Sequence, residues 1–224
     1  MTTRRLPVPS LHLITNRRRL APQARTTRDE LRALEALVGE AIAAGIDVVQ
    51  VRERDLDGGP LFELVRGAVM RADGSPTRIL VNERADVAAA AGAHGVHLPG
   101  TGMTADRVRT LVPGWLVGRS VHGDEQPADA GSCDYLIFGT VFPSASKAPG
   151  SATAGLAGLR RAVEGSDRPV VAIGGIGPDE AAACIEAGAA GIAAIGAFLP
   201  DGPYGGVQAA VRAFREAMKH GPGT

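Results

Sequence analysis

Apolar runs of four to six residues alternate along the chain with longer, Ala-rich amphipathic stretches. Parallel strands that each return through a helix produce this alternation. Eight strand candidates emerge, at residues 11–15, 47–52, 78–82, 95–98, 116–120, 135–139, 170–173 and 191–195. The helix after the first strand is expected to open near Thr27, with Glu30 three residues on in a capping-box pattern and Asp29 in the first turn. It closes at Gly45, a residue suited to the left-handed turn that ends helices. A later helix, 178–187, begins on a proline at a permitted first-turn position and ends at Gly188. Pro127 makes 124–130 the poorest helix candidate.

Eight β/α units within 224 residues imply an α/β fold, a single closed (β/α)8 TIM barrel, with an open doubly wound sheet as the alternative. No linker divides the chain, so 1–224 is expected to form one domain, with 1–10 and 221–224 as flexible tails. The longest stretch without a regular pattern, 140–153, is rich in Ser, Gly and Pro and suits a working lid.

Charge narrows the partners. Lys plus Arg and Asp plus Glu both total 24, so no global field recruits nucleic acid or an anionic membrane. No apolar run reaches the roughly 20 residues that span a bilayer, and the N-terminus lacks a secretory apolar stretch. A cytoplasmic protein acting on small molecules, with a homo-oligomer as a possible assembly, is the expectation. Cys133 and Cys184 have no CxxC spacing and are read as reduced thiols.

In a barrel the second strand turns Val48, Gln50 and Arg52 inward and Val49 and Val51 outward. An inward Arg at a strand end needs a partner: either a ligand anion or carbonyl, or an internal ion pair with Glu53 or Asp47. Residues 170–177 read VVAIGGIG, a buried strand running into Gly174 and Gly175, whose amides can converge on phosphate oxygens. Ile195, Gly196 and Ala197 would supply the adjoining half of that cradle. His122, just beyond the fifth strand, is either an acid/base group or a surface-loop histidine. Ser144, Ser146 and Lys147 offer two hydroxyls and a cation to a phosphate or diphosphate, as a solvated loop also would. His12, His94 and His97 share no metal-ligand spacing, so no zinc site is assigned.

Seven ordered segments, VVQVRER, ILVNERADVA, AHGVHLP, VGRSVH, DYLIFGTVFPSASK, VVAIGGI and AGAAGIAAIGAF, together resemble the thiamine phosphate synthase and TenI thiazole tautomerase superfamily. The resemblance implies that Gln50 and Arg52 face a pyrimidine or thiazole pocket, with Arg54 where synthases usually carry Lys and with Asn82 and Ser120 near the ligand. It implies that Ser144, Ser146 and Lys147 close over diphosphate, and that Gly174, Gly175, Ile195 and Gly196 cradle the thiazole phosphate.

Departures from the pattern bear on the activity. Synthases typically hold magnesium through an Asp after Asn and a second Asp downstream of Gly-Val-His; here Glu83 follows Asn82, and Pro99-Gly100-Thr101-Gly102 spans the second place. A hard cation bridging a diphosphate needs oxygen ligands, and only Glu83 remains to hold it. VHLP and GRSVH look like the tautomerase branch, whose implied acid/base here is His122. Gly196 stands where many members carry Ser.

The leading expectation is therefore a thiazole tautomerase that needs no cofactor and moves a proton to aromatise a carboxylated thiazoline phosphate. The alternative is thiamine phosphate synthase, which joins an aminopyrimidine diphosphate to thiazole phosphate with loss of pyrophosphate and uses Mg. The third is a noncatalytic barrel that binds a thiazole metabolite.

Overall fold

A computed structural model describes residues 5–122, 131–144 and 150–219. Its strands are β1 (Ser10–Ile14), β2 (Val48–Val51), β3 (Arg78–Asn82), β4 (Gly95–Leu98), β5 (Leu116–Val121), β6 (Tyr135–Gly139), β7 (Val170–Ile173) and β8 (Gly191–Ala194). All are parallel and close in chain order, with β8 pairing back to β1 through Leu13 opposite Ala194. That closure settles the topology as a TIM barrel and removes the open-sheet alternative.

The helices are α1 (Arg17–Leu20), α2 (Thr27–Ala43), α3 (Gly58–Ala72), α4 (Ala85–Ala90), α5 (Ala105–Leu111), α6 (Gly155–Glu164), α7 (Pro178–Glu186) and α8 (Val207–Lys219). The segment 124–130 lies outside the described residues.

Alternation along the strands builds two apolar layers. Ile14, Val48, Leu80, Leu116, Tyr135, Ile137, Val171 and Ala193 fill the barrel interior. Their neighbours, such as Leu13, Val49, Val51 and Val81, face outward into the layer shared with the helices. Gly118 makes room for the largest interior side chain: a Cβ there would collide with the ring of Tyr135 and come within 2.6 Å of His97 Nδ1.

Several expected boundaries move for identifiable reasons. β1 starts one residue early, at Ser10, and Leu6 packs on the interior cluster. Thr15 leaves the strand because its hydroxyl turns to Glu53 at 2.6 Å. β2 is shorter at both ends: the Asp47 carboxylate accepts from Leu11 N, and Arg52 N donates to Thr15 Oγ1. β5 runs one residue further, to Val121, and β8 stops at Ala194, one before Ile195.

The cap of α2 is Thr26 rather than Thr27, its hydroxyl accepting from Asp29 N. Glu30 is freed from a capping box to bond Arg17 at 2.8 Å. Gly45 and Gly188 take the expected left-handed turns, with φ of 80° and 95°. Both cysteines are free and buried.

Arg17 ties the rim together. It is buried, and it bonds Glu53 and Asp55 of the loop after β2 and Glu30 of α2. Asp55 and then Glu53 hold its guanidinium above the ordinary arginine range. In return Arg17 pulls the Asp55 carboxyl down to about 2.

Candidate active site

A cavity of about 760 Å³ opens at the C-terminal ends of the strands, where the rim loops of a barrel meet. Gln50, Arg52, Arg54, Asn82, Glu83, Ser120, His122, Ser144, Gly174, Gly175, Ile195 and Gly196 all line it. Ser146 and Lys147 lie outside the described residues.

On the β2–β3 side a hydrogen-bond chain runs outward. Gln50 Nε2 donates to Asn82 Oδ1 at 3.0 Å, and Asn82 Nδ2 donates to Glu83 Oε2 at 2.9 Å. Arg54 reaches the same Glu83 oxygen at 3.5 Å. Gln50 is buried, and its Oε1 has no partner among the described residues. A buried acceptor left unpaired is expensive, so this atom asks for a donor on a ligand.

The internal ion-pair reading of Arg52 is overturned. Glu53 is taken by Arg17 and Asp47 by Arg215, which leaves Arg52 half-buried on the cavity wall with no carboxylate partner among the described residues. Its charge reaches His97, which helps to keep that ring neutral.

His97 was weighed in the sequence only as a metal ligand, yet it lies at the cavity floor. Its ring bonds Ser120 Oγ at 2.8 Å and Tyr135 OH at 3.4 Å. Burial above all, then Arg52 and His122, lowers its pKa to about 3. Inward alternation along β4 was the signal that could have found it, since Gly95 and His97 share a face. Asn16 and Arg19, from the turn after β1 and from α1, also line the cavity and were missed.

His122 sits on the opposite wall, its Nδ1 2.9 Å from the carbonyl oxygen of Gly139. A carbonyl only accepts, so Nδ1 carries a proton and the contact fixes the orientation of the ring.

The turns after β7 and β8 form the remaining wall. Gly174 and Gly175 have φ of 105° and 63°. A Cβ on Gly175 would lie 2.8 Å from Phe142 O, and one on Gly174 would strike Thr140. Glycine is required on both counts, by dihedral and by space. The amides of Gly174, Gly175, Ile195 and Gly196 donate to no backbone carbonyl among the described residues. Four such N–H groups lining one hollow offer a match for phosphate oxygens.

Residues 22–198 match the family described as thiamine monophosphate synthase. The chain belongs to that family. It is 39% identical over 195 residues to a putative thiamine-phosphate synthase of Geobacter sulfurreducens, covering 86% of this chain and 87% of the relative. It is 40% identical over 184 residues to the thiamine-phosphate synthase of Anaeromyxobacter dehalogenans, covering 79% and 82%.

Among solved structures, thiamine phosphate pyrophosphorylase from Pyrococcus furiosus superposes with a TM-score of 0.78 at 30% identity, covering 96% and 98% of the two chains. A 3-hexulose-6-phosphate synthase, at a TM-score of 0.64 and 20% identity, shares the fold. Membership makes this chain an enzyme of thiamine biosynthesis, and the named relatives turn the expectation from the tautomerase branch toward synthase. Among the described residues no helix is long and apolar enough to cross a membrane.

Proposed function

We propose that the protein is a thiamine phosphate synthase, which couples an aminopyrimidine diphosphate to a thiazole phosphate and releases pyrophosphate. The observation that carries the proposal is likeness to synthases over most of the length of both chains. In the coupling, the bond from the pyrimidine's methylene carbon to the diphosphate oxygen breaks and its electron pair leaves with pyrophosphate. The ring nitrogen of the thiazole supplies the pair for the new carbon–nitrogen bond.

The cavity suits two phosphorylated substrates. Gln50 Oε1 is an acceptor for the aminopyrimidine, and the guanidinium groups of Arg52 and Arg54 face the departing diphosphate. Ser144 lines the cavity and brings a hydroxyl to this side of it. Gly174, Gly175, Ile195 and Gly196 cradle the thiazole phosphate through their amides. With one substrate held on each anchor, the reacting atoms share one cavity, where proximity supplies much of the rate.

Magnesium fits this rim in a reduced form. No group of three His, Cys, Asp or Glu side chains converges among the described residues, and Glu83 is the carboxylate at the expected place. Magnesium commonly uses one or two carboxylates and completes its shell with water and substrate phosphate oxygens. Glu83 would hold it, and the ion would neutralise charge on the leaving diphosphate.

His122 keeps a second reading in view, because its oriented ring suits proton transfer in a thiazoline. Supplying purified protein with the two synthase substrates plus magnesium, and separately with the carboxylated thiazoline phosphate, tests both. Thiamine phosphate and pyrophosphate forming together in the first assay is the expected result. Isomerisation alone would overturn the proposal.

A further inference from the structure

Arg19 is the half-buried cation on the cavity wall that the four-amide cradle leaves unexplained. Its neighbours are committed elsewhere: Arg17 to Glu53, Asp55 and Glu30, and Arg18 to Asp55. Arg19 itself has no carboxylate partner among the described residues. Its backbone is held by the Asn16 side chain, which accepts from Arg19 N at 3.1 Å, while buried Arg17 fixes the turn of α1 on which both stand.

The guanidinium lies over the turn after β8. A Cβ built on Gly196 would sit 3.2 Å from Arg19 Nη2 and 4.0 Å from both Nη1 and Cζ. The Nη2 end of the guanidinium therefore comes closest to this glycine, beside the amides of Ile195 and Gly196, which donate to no backbone carbonyl among the described residues. Gly196 is not in the left-handed region, so backbone geometry does not demand glycine there. A Cβ there would press on the tip of the Arg19 side chain, which would have to give by a few tenths of an ångström.

We infer that Arg19 clamps the phosphate monoester of the thiazole substrate, and that Gly196 is glycine because its missing side chain lets the guanidinium lie over the cradle. The inference deepens the proposed synthase function and rests on the assignment of that cradle. Amides alone give a phosphate dianion hydrogen bonds without net charge. A planar guanidinium adds two parallel donors and a full positive charge. Glu180 lines the same cavity, but its Oε2 accepts from Gly177 N at 2.9 Å.

The test is calorimetric titration of wild type, Arg19→Gln and Gly196→Ala with thiazole phosphate, with the unphosphorylated thiazole alcohol, with inorganic phosphate and with pyrophosphate. Arg19→Gln should weaken thiazole phosphate binding about 10- to 100-fold, the range for a charge-assisted contact. It should leave the alcohol and pyrophosphate unchanged and flatten the salt dependence of phosphate binding.

Gly196→Ala should reproduce part of the loss, and the double variant should lose no more than Arg19→Gln alone, since both remove one contact. Equal thiazole phosphate affinity in wild type and Arg19→Gln, or a loss confined to pyrophosphate, would overturn the assignment. Inorganic phosphate separates this claim from the synthase reading. If wild type bound phosphate through Arg19 but bound no thiazole phosphate, Arg19 would still be a phosphate clamp, while its assignment to the thiazole substrate and the synthase proposal would both fall. Wild type binding neither would remove both.

Discussion

Glu83 and Arg54 meet at 3.5 Å on the cavity rim, and Glu83 makes that contact from a φ of 63°, a backbone region that L side chains rarely occupy. A non-glycine residue there costs about 1–2 kcal/mol. Glu83→Gly should therefore leave the melting temperature no lower than wild type. The same change should cut magnesium-dependent coupling at least tenfold, because the carboxylate proposed to hold the ion is gone. Thermal denaturation beside a magnesium titration of the rate checks both halves; a large loss of stability would make Glu83 structural instead.

Arg17 and Arg52 should behave in opposite ways although both are rim arginines. Arg17 is buried among carboxylates, and removing one partner of such a cluster costs about 3–5 kcal/mol. Arg17→Ala is expected to unfold well below wild type. Among the described residues Arg52 has no carboxylate to abandon, so Arg52→Ala should shift the melting temperature little while weakening pyrophosphate binding about tenfold or more. Denaturation and calorimetry on the two variants decide it, and an Arg52→Ala protein as unstable as Arg17→Ala would restore a structural role.

This contrast also marks where sequence reading reached and where it stopped. Period-two alternation placed Gln50 and Arg52 on the inner face, and both line the cavity. The glycine turns after β7 and β8 were legible because strand, glycine and helix follow in order. Arg17, Arg18 and Arg19 are consecutive and chemically alike, so no pattern says that the first is buried, the second pairs outside and the third enters the cavity. The acidic partners that sort them, Glu30, Glu53 and Asp55, come from distant segments. His97 was harder to find, because on the four-residue strand β4 the inward alternation rests on Gly95 and His97 alone and both faces are buried.

Stability should fall on mild acidification. His12 and His97 have folded pKa values near 3, chiefly through burial, against about 6.5 when exposed. Below pH 6.5 the unfolded chain takes up protons that the folded chain refuses, so stability is full above that pH and declines as pH drops toward 3. Each ring contributes about 1.4 kcal/mol of loss per pH unit in that window. The fall due to Asp55 and Asp86, whose carboxyls are held near 2 by arginines, comes later, below pH 4. Denaturant unfolding from pH 7 to pH 5 should show the decline, and His97→Asn should remove about half its slope. A flat wild-type profile would mean that both rings take up protons in the folded chain as readily as in the unfolded one.

His122 supplies the sharpest division between the two chemistries. Its Nδ1 is fixed on the Gly139 carbonyl, so glutamine at this place keeps a donor but cannot exchange a proton near neutral pH. Coupling a thiazole nitrogen to a carbon that sheds diphosphate requires no proton transfer in the bond-forming step. His122→Gln should therefore lower kcat for coupling less than tenfold, with affinity for thiazole phosphate retained. Isomerising a thiazoline does require a proton to move, and general acid/base groups contribute about 10²- to 10⁴-fold. A loss of that size in the coupling reaction would show that His122 works on the diphosphate or the pyrimidine. The same loss in a measurable isomerisation by wild type, with coupling absent, would return the enzyme to the tautomerase branch. Measuring affinity separately keeps lost binding from passing as lost chemistry.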